Sequence, residues 1–270
     1  MTVTLTILGC ASSAGVPRVG GTTHEERWGA CDPSNPKNHR RRCAVLLTRN
    51  SPNGTTYCVI DTGPDFRAQM LDAEVPRLDG VVYTHEHADH LHGIDDIRPF
   101  ALVQRARIPV HMDDRTFARA NAAFGYVFET PPGSGYPPIL DRHVLRHDQT
   151  VTIDGAGGSI ELTPVPVDHG DITALGFRIA DTLYLPDVSA IPASSMGHFN
   201  ALNTLIIDSL RHKPHPSHFN LEQAMALQAD VKPERTILTN LHNDLDYETV
   251  LAETPETVEP AYDGLKVAIS

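Results

Sequence analysis

Hydrophobic positions fall mostly into short β-branched segments and only occasionally into helical stripes. Residues 2–8 (TVTLTIL) alternate threonine with an apolar side chain, the two-residue period of a strand with one buried face. Similar short runs at 44–48, 57–60, 81–83, 108–111, 151–153, 160–166, 175–179, 183–185, 205–208, 236–239 and 265–269 predict further strands. Apolar residues spaced three and four apart predict helices over 66–73, 97–105, 115–124, 221–229 and 247–252. Asp113 and Asn220 stand where N-caps belong. Residues 16–42 are polar, 129–138 (ETPPGSGYPP) are rich in breakers and 154–158 form a glycine turn, so all three predict loops. Strands with helices interspersed in both halves, without a repeat or linker, imply layered sheets and helices of the α/β (α+β) class.

Composition narrows the picture. A chain of 270 residues, 40% hydrophobic and 21% charged, is ordinary for a globular protein and excludes disordered and fibrous classes. No apolar run reaches the roughly 18 residues of a membrane span. The start, MTVTLTILGC, lacks the basic region of a signal peptide. Cys10, Cys31, Cys43 and Cys58 form no CxxC pair, so a cytoplasmic chain with reduced thiols is expected. A net charge of −12 disfavours a broad nucleic-acid-binding face. The outlying count is fifteen histidines. Histidine is the commonest metal ligand, and here several are clustered.

The cluster is Thr84-His85-Glu86-His87-Ala88-Asp89-His90. His85 and His87 alternate at the end of the strand predicted over 81–83, so both rings can point one way. Asp89 and His90 follow where the chain turns, aiming a second pair at the same space. Such a set of nitrogen and carboxylate donors can hold two cations a few ångströms apart.

This HxHxDH motif, followed by Gly93, resembles the signature of the metallo-β-lactamase superfamily. The resemblance runs through the chain and implies one domain over residues 1–270, a four-layer αββα sandwich with a metal site at the shared edge of its sheets. It implies the ligands His85, His87, Asp89, His90, His169 and Asp187, the last as a bridging carboxylate, with Asp61 supporting the site from behind. Residues 8–17 (LGCASSAGVP), 32–42 (DPSNPKNHRRR), 93–100 (GIDDIRPF), 216–221 (PSHFNL) and 244–246 (DLD) resemble the PhnP-type branch, phosphodiesterases that open 5-phosphoribosyl 1,2-cyclic phosphate.

Two departures from that branch are visible. Only Cys31 remains of its first-loop cysteine cluster and Asn243 replaces a histidine, so no accessory structural zinc is expected. Asn240 stands where the usual motif places the last ligand, and His242, two residues on, is the expected substitute if the strand continues.

The resemblance implies a phosphoric diester hydrolase with two divalent ions, Zn2+ or Mn2+, and no other cofactor. Water held between such ions loses its proton near neutral pH and attacks the phosphoryl group. Asp89 is expected as a ligand that also acts in catalysis, and His218 as proton donor to the leaving group. The expected partner is a small phosphorylated, phosphoribosyl or nucleotide-like substrate, with neither a nucleic-acid polymer nor a membrane; the oligomeric state is open, a homodimer included. Lys37, Arg40, Arg41 and Arg42 are candidate substrate contacts, and Arg98 is an alternative. Other readings are a thioesterase, a lactonase, an RNA-processing nuclease or a catalytically decayed metal- or nucleotide-binding protein. The GVP and PKNxRxR segments argue against the first two, the acidic charge against the third, and Asn240 is the support for the last.

Overall fold

In the computed structural model, which describes residues 2–147 and 149–270, strands alternate with helices in two successive series. The first series is β1 (Val3–Gly9), β2 (Ala44–Ser51), β3 (Gly54–Ile60), β4 (Gly80–Val82), β5 (Ile108–Met112) and β6 (Leu140–Val144). The second is β7 (Val151–Ile153), β8 (Ile160–His169), β9 (Ile172–Ile179), β10 (Thr182–Leu185), β11 (Thr204–Asp208), β12 (Arg235–Thr239) and β13 (Val258–Pro260). The last strand, β14 (Lys266–Ile269), returns to the first sheet. Two seven-stranded sheets result, ordered β14-β1-β2-β3-β4-β5-β6 and β13-β12-β11-β10-β9-β8-β7.

The alternation in β1 explains the central layer. Leu5 and Ile7 are fully buried and join Val45, Leu47, Ile60, Phe177, Tyr184 and Ile206 in one apolar core contributed by both sheets. Fully burying a side chain of this size contributes roughly 1.5–3 kcal/mol. The parallel strands are apolar on their other faces too, because helices cover them. The helices are α1 (His24–Trp28), α2 (Phe66–Asp72), α3 (Ala88–Leu91), α4 (Arg98–Gln104), α5 (Asp114–Phe124), α6 (Leu221–Val231) and α7 (Tyr247–Glu253). Asp113 caps α5, accepting from the Thr116 amide at 2.7 Å, and Asn220 forms a capping box with Gln223 on α6. The layers are those of the αββα sandwich.

Differences from expectation have local causes. Strand β6 (LDRHV) and strand β13 (VEP) are sheet edges, so neither needs the apolar alternation of a central strand. The segment 16–42 is no simple loop. It carries α1, and its Arg40, 2% exposed, donates to the Leu245 carbonyl at 2.8 Å and to Asn38 Oδ1 at 2.9 Å. Asn38 in turn donates to Asp246 at 2.6 Å and accepts from the Tyr247 amide at 2.9 Å. Buried polar side chains satisfied in this way tie the segment to the far end of the chain.

What this architecture positions is one edge. There β3 and β4 of one sheet and β8, β10, β11 and β12 of the other end close together, and the residues just past these ends carry the chemistry.

A second buried polar link closes β14 onto the first sheet. Asp263 accepts from the Arg41 amide at 2.9 Å and from its Nε at 3.0 Å. Burial pushes its carboxyl up to about 6, with Arg41 offsetting only part of the effect. The folded state therefore holds this proton more tightly than the unfolded chain. The resulting stability is fully present below the ordinary carboxylate range and is lost as pH rises through about 6. Asp263→Asn should flatten that part of the stability profile, and thermal melts of both proteins at about pH 5 and pH 7.5 would check it; parallel profiles would contradict the assignment.

Candidate metal centre

Asp61 follows β3 with a positive φ of 67°, a conformation that Asp tolerates better than most residues. Its fully buried carboxylate accepts the Thr84 amide and the Thr84 hydroxyl, each at 2.8 Å, and His90 Nδ1 at 2.7 Å. The Thr84 hydroxyl spends its proton on Asp61, so toward His85 Nδ1, 2.9 Å away, it can only accept. In the neutral rings Nδ1 of His85 and of His90 thus carries the proton, and Nε2 is the atom left with a lone pair for a metal. His169 is set the same way, its Nδ1 donating to the Ser217 carbonyl at 2.6 Å.

The bare nitrogens converge. Ligand atoms of His85, His87, His169 and Asp187 all lie within 4.8 Å of one another, supplied by the ends of β4, β8 and β10. Asp187 turns its two oxygens to different partners. Oδ2 lies 3.7 Å from His85 Nε2 and 3.5 Å from His169 Nε2, while Oδ1 lies 3.4 Å from His90 Nε2. Asp89 Oδ2 is 3.6 Å from the same His90 nitrogen. The six residues expected from the HxHxDH motif and its companions are therefore neighbours in space.

The donor set fits divalent cations. His85 Nε2 and Asp187 Oδ1 are buried and lack a hydrogen-bond partner. Leaving such groups unsatisfied costs roughly 1–3 kcal/mol each, a deficit that a cation removes. Imidazole with carboxylate suits zinc or manganese. For His85 and Asp187 the electrostatics agree in direction, whereas His90 is held toward its charged form and would give up its Nε2 proton to a metal. Burial drives His85 well below the ordinary histidine range, toward the neutral form that a metal requires. Burial opposes charge on His90 too, but Asp187, Asp61 and Asp89 outweigh it and raise that group well above the range. Asp187, despite burial, is held well below the carboxylate range by His90 and His85.

Two glycines clamp the motif. A Cβ on Gly63 would collide with the Asp89 carbonyl oxygen, and one on Gly93 with the Gly63 carbonyl oxygen. The turn bearing Asp89 and His90 therefore packs backbone to backbone against the Asp61 loop.

His218 borders the cluster, its ring 4.6 Å from that of His169. Nδ1 lies 2.8 Å from Asp208 Oδ2, which also accepts the Val188 amide at 3.0 Å. Burial pushes Asp208 up to about 7, only partly offset by His218. Burial also opposes charge on His218, but Asp208 prevails and raises it above the ordinary range. Asn240 Nδ2 donates to Asp208 Oδ1 at 3.1 Å and stands 3.0 Å from His218 Nδ1. Sequence reasoning missed Asp208, Thr84 and Ser217. Asp208 had a signal, since the apolar strand LII ending in an aspartate repeats the VI-Asp61 pattern.

His242 is not brought to the cluster. The expectation required β12 to continue, but it ends at Thr239 and Asn240 takes φ 59°. The backbone leaves the strand, the Leu241 amide pairs with the Cys10 carbonyl, and His242 Nδ1 sits 3.1 Å from Asp244 instead. Cys31 is buried with its Sγ 3.6 Å from the Leu245 carbonyl. The basic run is largely committed. Arg40 is buried, Arg41 pairs with Asp72 and Asp263, and Lys37 lies 4.0 Å over the Tyr247 ring. Arg98 pairs with Asp95 at 2.6 Å. Among the described residues no helix is long and apolar enough to cross a membrane.

Comparison with known proteins agrees with this geometry. The beta-lactamase superfamily domain profile matches residues 56–240. A solved diphosphatase of the PhnP family is 33% identical, with a TM-score of 0.86 over 100% of this chain and 98% of that one. The zinc-bound PqqB of Methylobacterium extorquens shares the fold at 17% identity, with a TM-score of 0.73 over 98% of this chain and 99% of that one. An octanoyltransferase of Porphyromonas gingivalis is 28% identical over 265 residues, 97% of this chain. The chain spans only about half, 51%, of that protein. The chain belongs to the beta-lactamase superfamily, within its PhnP family, and is a metal-dependent hydrolase.

The arrangement separates Asp187 from His242. Asp187→Ala should lose bound metal, since two sets of histidines would face each other without the carboxylate between them. His242→Ala should retain the metal of the wild-type protein. Elemental analysis after reconstitution with Zn2+ or Mn2+ checks both, and metal loss in His242→Ala would show that the ring swings into the site.

Proposed function

We propose that the protein is a phosphoric diester hydrolase acting on a small cyclic or nucleotide-like phosphodiester. The observation that carries this reading is the division of Asp187, one oxygen toward His85 and His169 and the other toward His90, beside a histidine that is no part of either set. His85, His87, His169 and Asp187 would hold one cation, and Asp89, His90 and Asp187 the other. Divalent cations bound there acidify water and neutralise charge developing on phosphoryl oxygens. Similarity to a PhnP-family diphosphatase supports phosphoryl chemistry.

The chain's own residues supply the rest. Asp61 and Ser217 keep the histidine tautomers fixed, so the ligand geometry needs no rearrangement during reaction. Asp208 holds Nδ1 of His218, leaving Nε2 as the atom that can protonate a departing alkoxide. Asp208 is thus a positioning residue and His218 the acid.

A second reading, cleavage of a diphosphate linkage, is favoured by the same 33%-identical relative. A phosphate leaving group needs less help from an acid. Hydrolysis by the metal-reconstituted protein of 5-phosphoribosyl 1,2-cyclic phosphate, a 2′,3′-cyclic nucleotide, bis(p-nitrophenyl) phosphate, a diphosphate, a thioester and a lactone separates the readings. Turnover of the thioester or lactone alone would overturn both.

The acid role has its own signature. His218→Ala should keep its metal and lose roughly 10²–10⁴-fold in rate on esters with alkyl leaving groups. On bis(p-nitrophenyl) phosphate, whose leaving group departs without a proton, the loss should be far smaller. Equal losses with metal intact would mean that His218 binds the phosphoryl group instead of protonating the leaving group.

A further inference from the structure

The donors of the centre divide unequally. His85, His87, His169 and Asp187 offer three nitrogens and one oxygen, and these atoms all lie within 4.8 Å of one another. Asp89, His90 and Asp187 offer one nitrogen and two oxygens, joined by contacts of 3.6 and 3.4 Å that both meet at His90 Nε2. The turn carrying Asp89 and His90 is clamped against Gly63 and Gly93, so this poorer set cannot gather further donors by shifting.

The other donors nearby are committed elsewhere. His242 Nδ1 lies 3.1 Å from Asp244. The His218 ring stands edge-on to His169, on the side of the richer set, and Asp208 holds its Nδ1. Asn240 is buried, and both ends of its carboxamide are engaged. A carboxylate can only accept, so the end that lies 3.1 Å from Asp208 Oδ1 is the amino end. Oδ1, the side-chain atom of Asn240 that can ligate a cation, faces the buried Cys43 thiol, 4.0 Å from Sγ. The left-handed φ of 59°, which asparagine tolerates, fixes the side chain in this direction.

Donor number and donor type both bear on ion choice. Imidazole-rich sets suit zinc, whereas carboxylate and water suit harder ions such as manganese. A set of three residues also leaves its ion partly hydrated, and a hydrated ion is held less firmly.

We propose that the centre is a mixed-ion site. The nitrogen-rich position retains zinc, and the oxygen-rich position takes an exchangeable harder cation, with Mn2+ as its probe. Asn240 is withheld from that position because it serves the Asp208–His218 pair as a positioning residue. The proposal rests on the phosphodiesterase reading for what the second ion does in turnover, whereas the unequal ion preferences follow from the donors alone. Hydrolysis then answers to the free concentration of the harder ion.

Calorimetric titration of zinc into the metal-free full chain should show two steps, the second weaker by at least about 10-fold, the smallest effect usual for a lost supporting contact at a metal site. A chain given one equivalent of zinc and then excess Mn2+ should keep the zinc and show the electron paramagnetic spectrum of an isolated manganese ion. A spin-coupled manganese pair, or a single-step zinc isotherm, overturns the mixed-ion centre. Asn240→Ala removes no ligand, so both zinc steps should stay within about twofold of wild type. At saturating ions its rate on phosphodiesters with alkyl leaving groups should fall by roughly 10-fold, the size of one hydrogen bond to a charged group. The loss should be smaller on bis(p-nitrophenyl) phosphate, whose leaving group needs no proton. Loss of an ion would show that the carboxamide ligates, and equal losses on both esters would show a merely structural residue; either overturns the role assigned to Asn240. Asn240→His should tighten the second zinc step, and an unchanged step overturns the shortage of a donor as the cause of the inequality. If no phosphodiester is hydrolysed, the phosphodiesterase reading fails, while the isotherms and the spectrum, which use no substrate, still decide the mixed-ion centre.

Discussion

One buried carboxylate organises the metal centre. Asp61 accepts three hydrogen bonds with both of its oxygens, and through them it sets the proton positions on His85 and His90. A carboxylate can only accept, so each partner must donate to it, and the lone pairs of the two rings are forced toward the opposite side. The left-handed backbone at Asp61 is the local strain that accompanies this arrangement. Gly63 and Gly93 then hold the motif turn so closely that the HxHxDH residues have little freedom to reorient.

The second half of the chain answers with the same device. Apolar strands β10 and β11 deliver Asp187 and Asp208 from neighbouring ends, and the two carboxylates have different surroundings. Asp187 is ringed by histidines and held well below the carboxylate range. Asp208 has a single histidine partner, and burial pushes it up to about 7. In the proposed reaction one carboxylate would be shared between cations and the other would steady an acid, a division of roles set by environment because the side chains are identical.

Charge follows a similar logic. Most of the basic run is spent on structure. Arg40 is buried under the C-terminal segment, and Arg41 closes β14 onto the first sheet through Asp263. The polar segment before β2 is thus an internal tie, and its remaining arginine, Arg42, pairs with Asp65 at 2.8 Å.

Much of this was legible in the sequence because it is local. Strand alternation, the caps at Asp113 and Asn220, and the spacing of His85, His87, Asp89 and His90 depend on residues a few positions apart. The distant members His169 and Asp187 were legible through family resemblance, since nothing in their immediate neighbours distinguishes them from solvated strand ends. The edge strands β6 and β13 were not legible, because their pairing is decided by where the sheet stops. Nor was the fate of Asn240. Whether β12 continues or turns depends on the Cys10 carbonyl and Asp208 waiting beside it, and that contact, 32 residues away in the case of Asp208, left His242 outside the cluster. Sequence determined which side chains could bind a cation; tertiary structure decided which of them face one another, because ring orientation is set by hydrogen bonds between residues far apart along the chain.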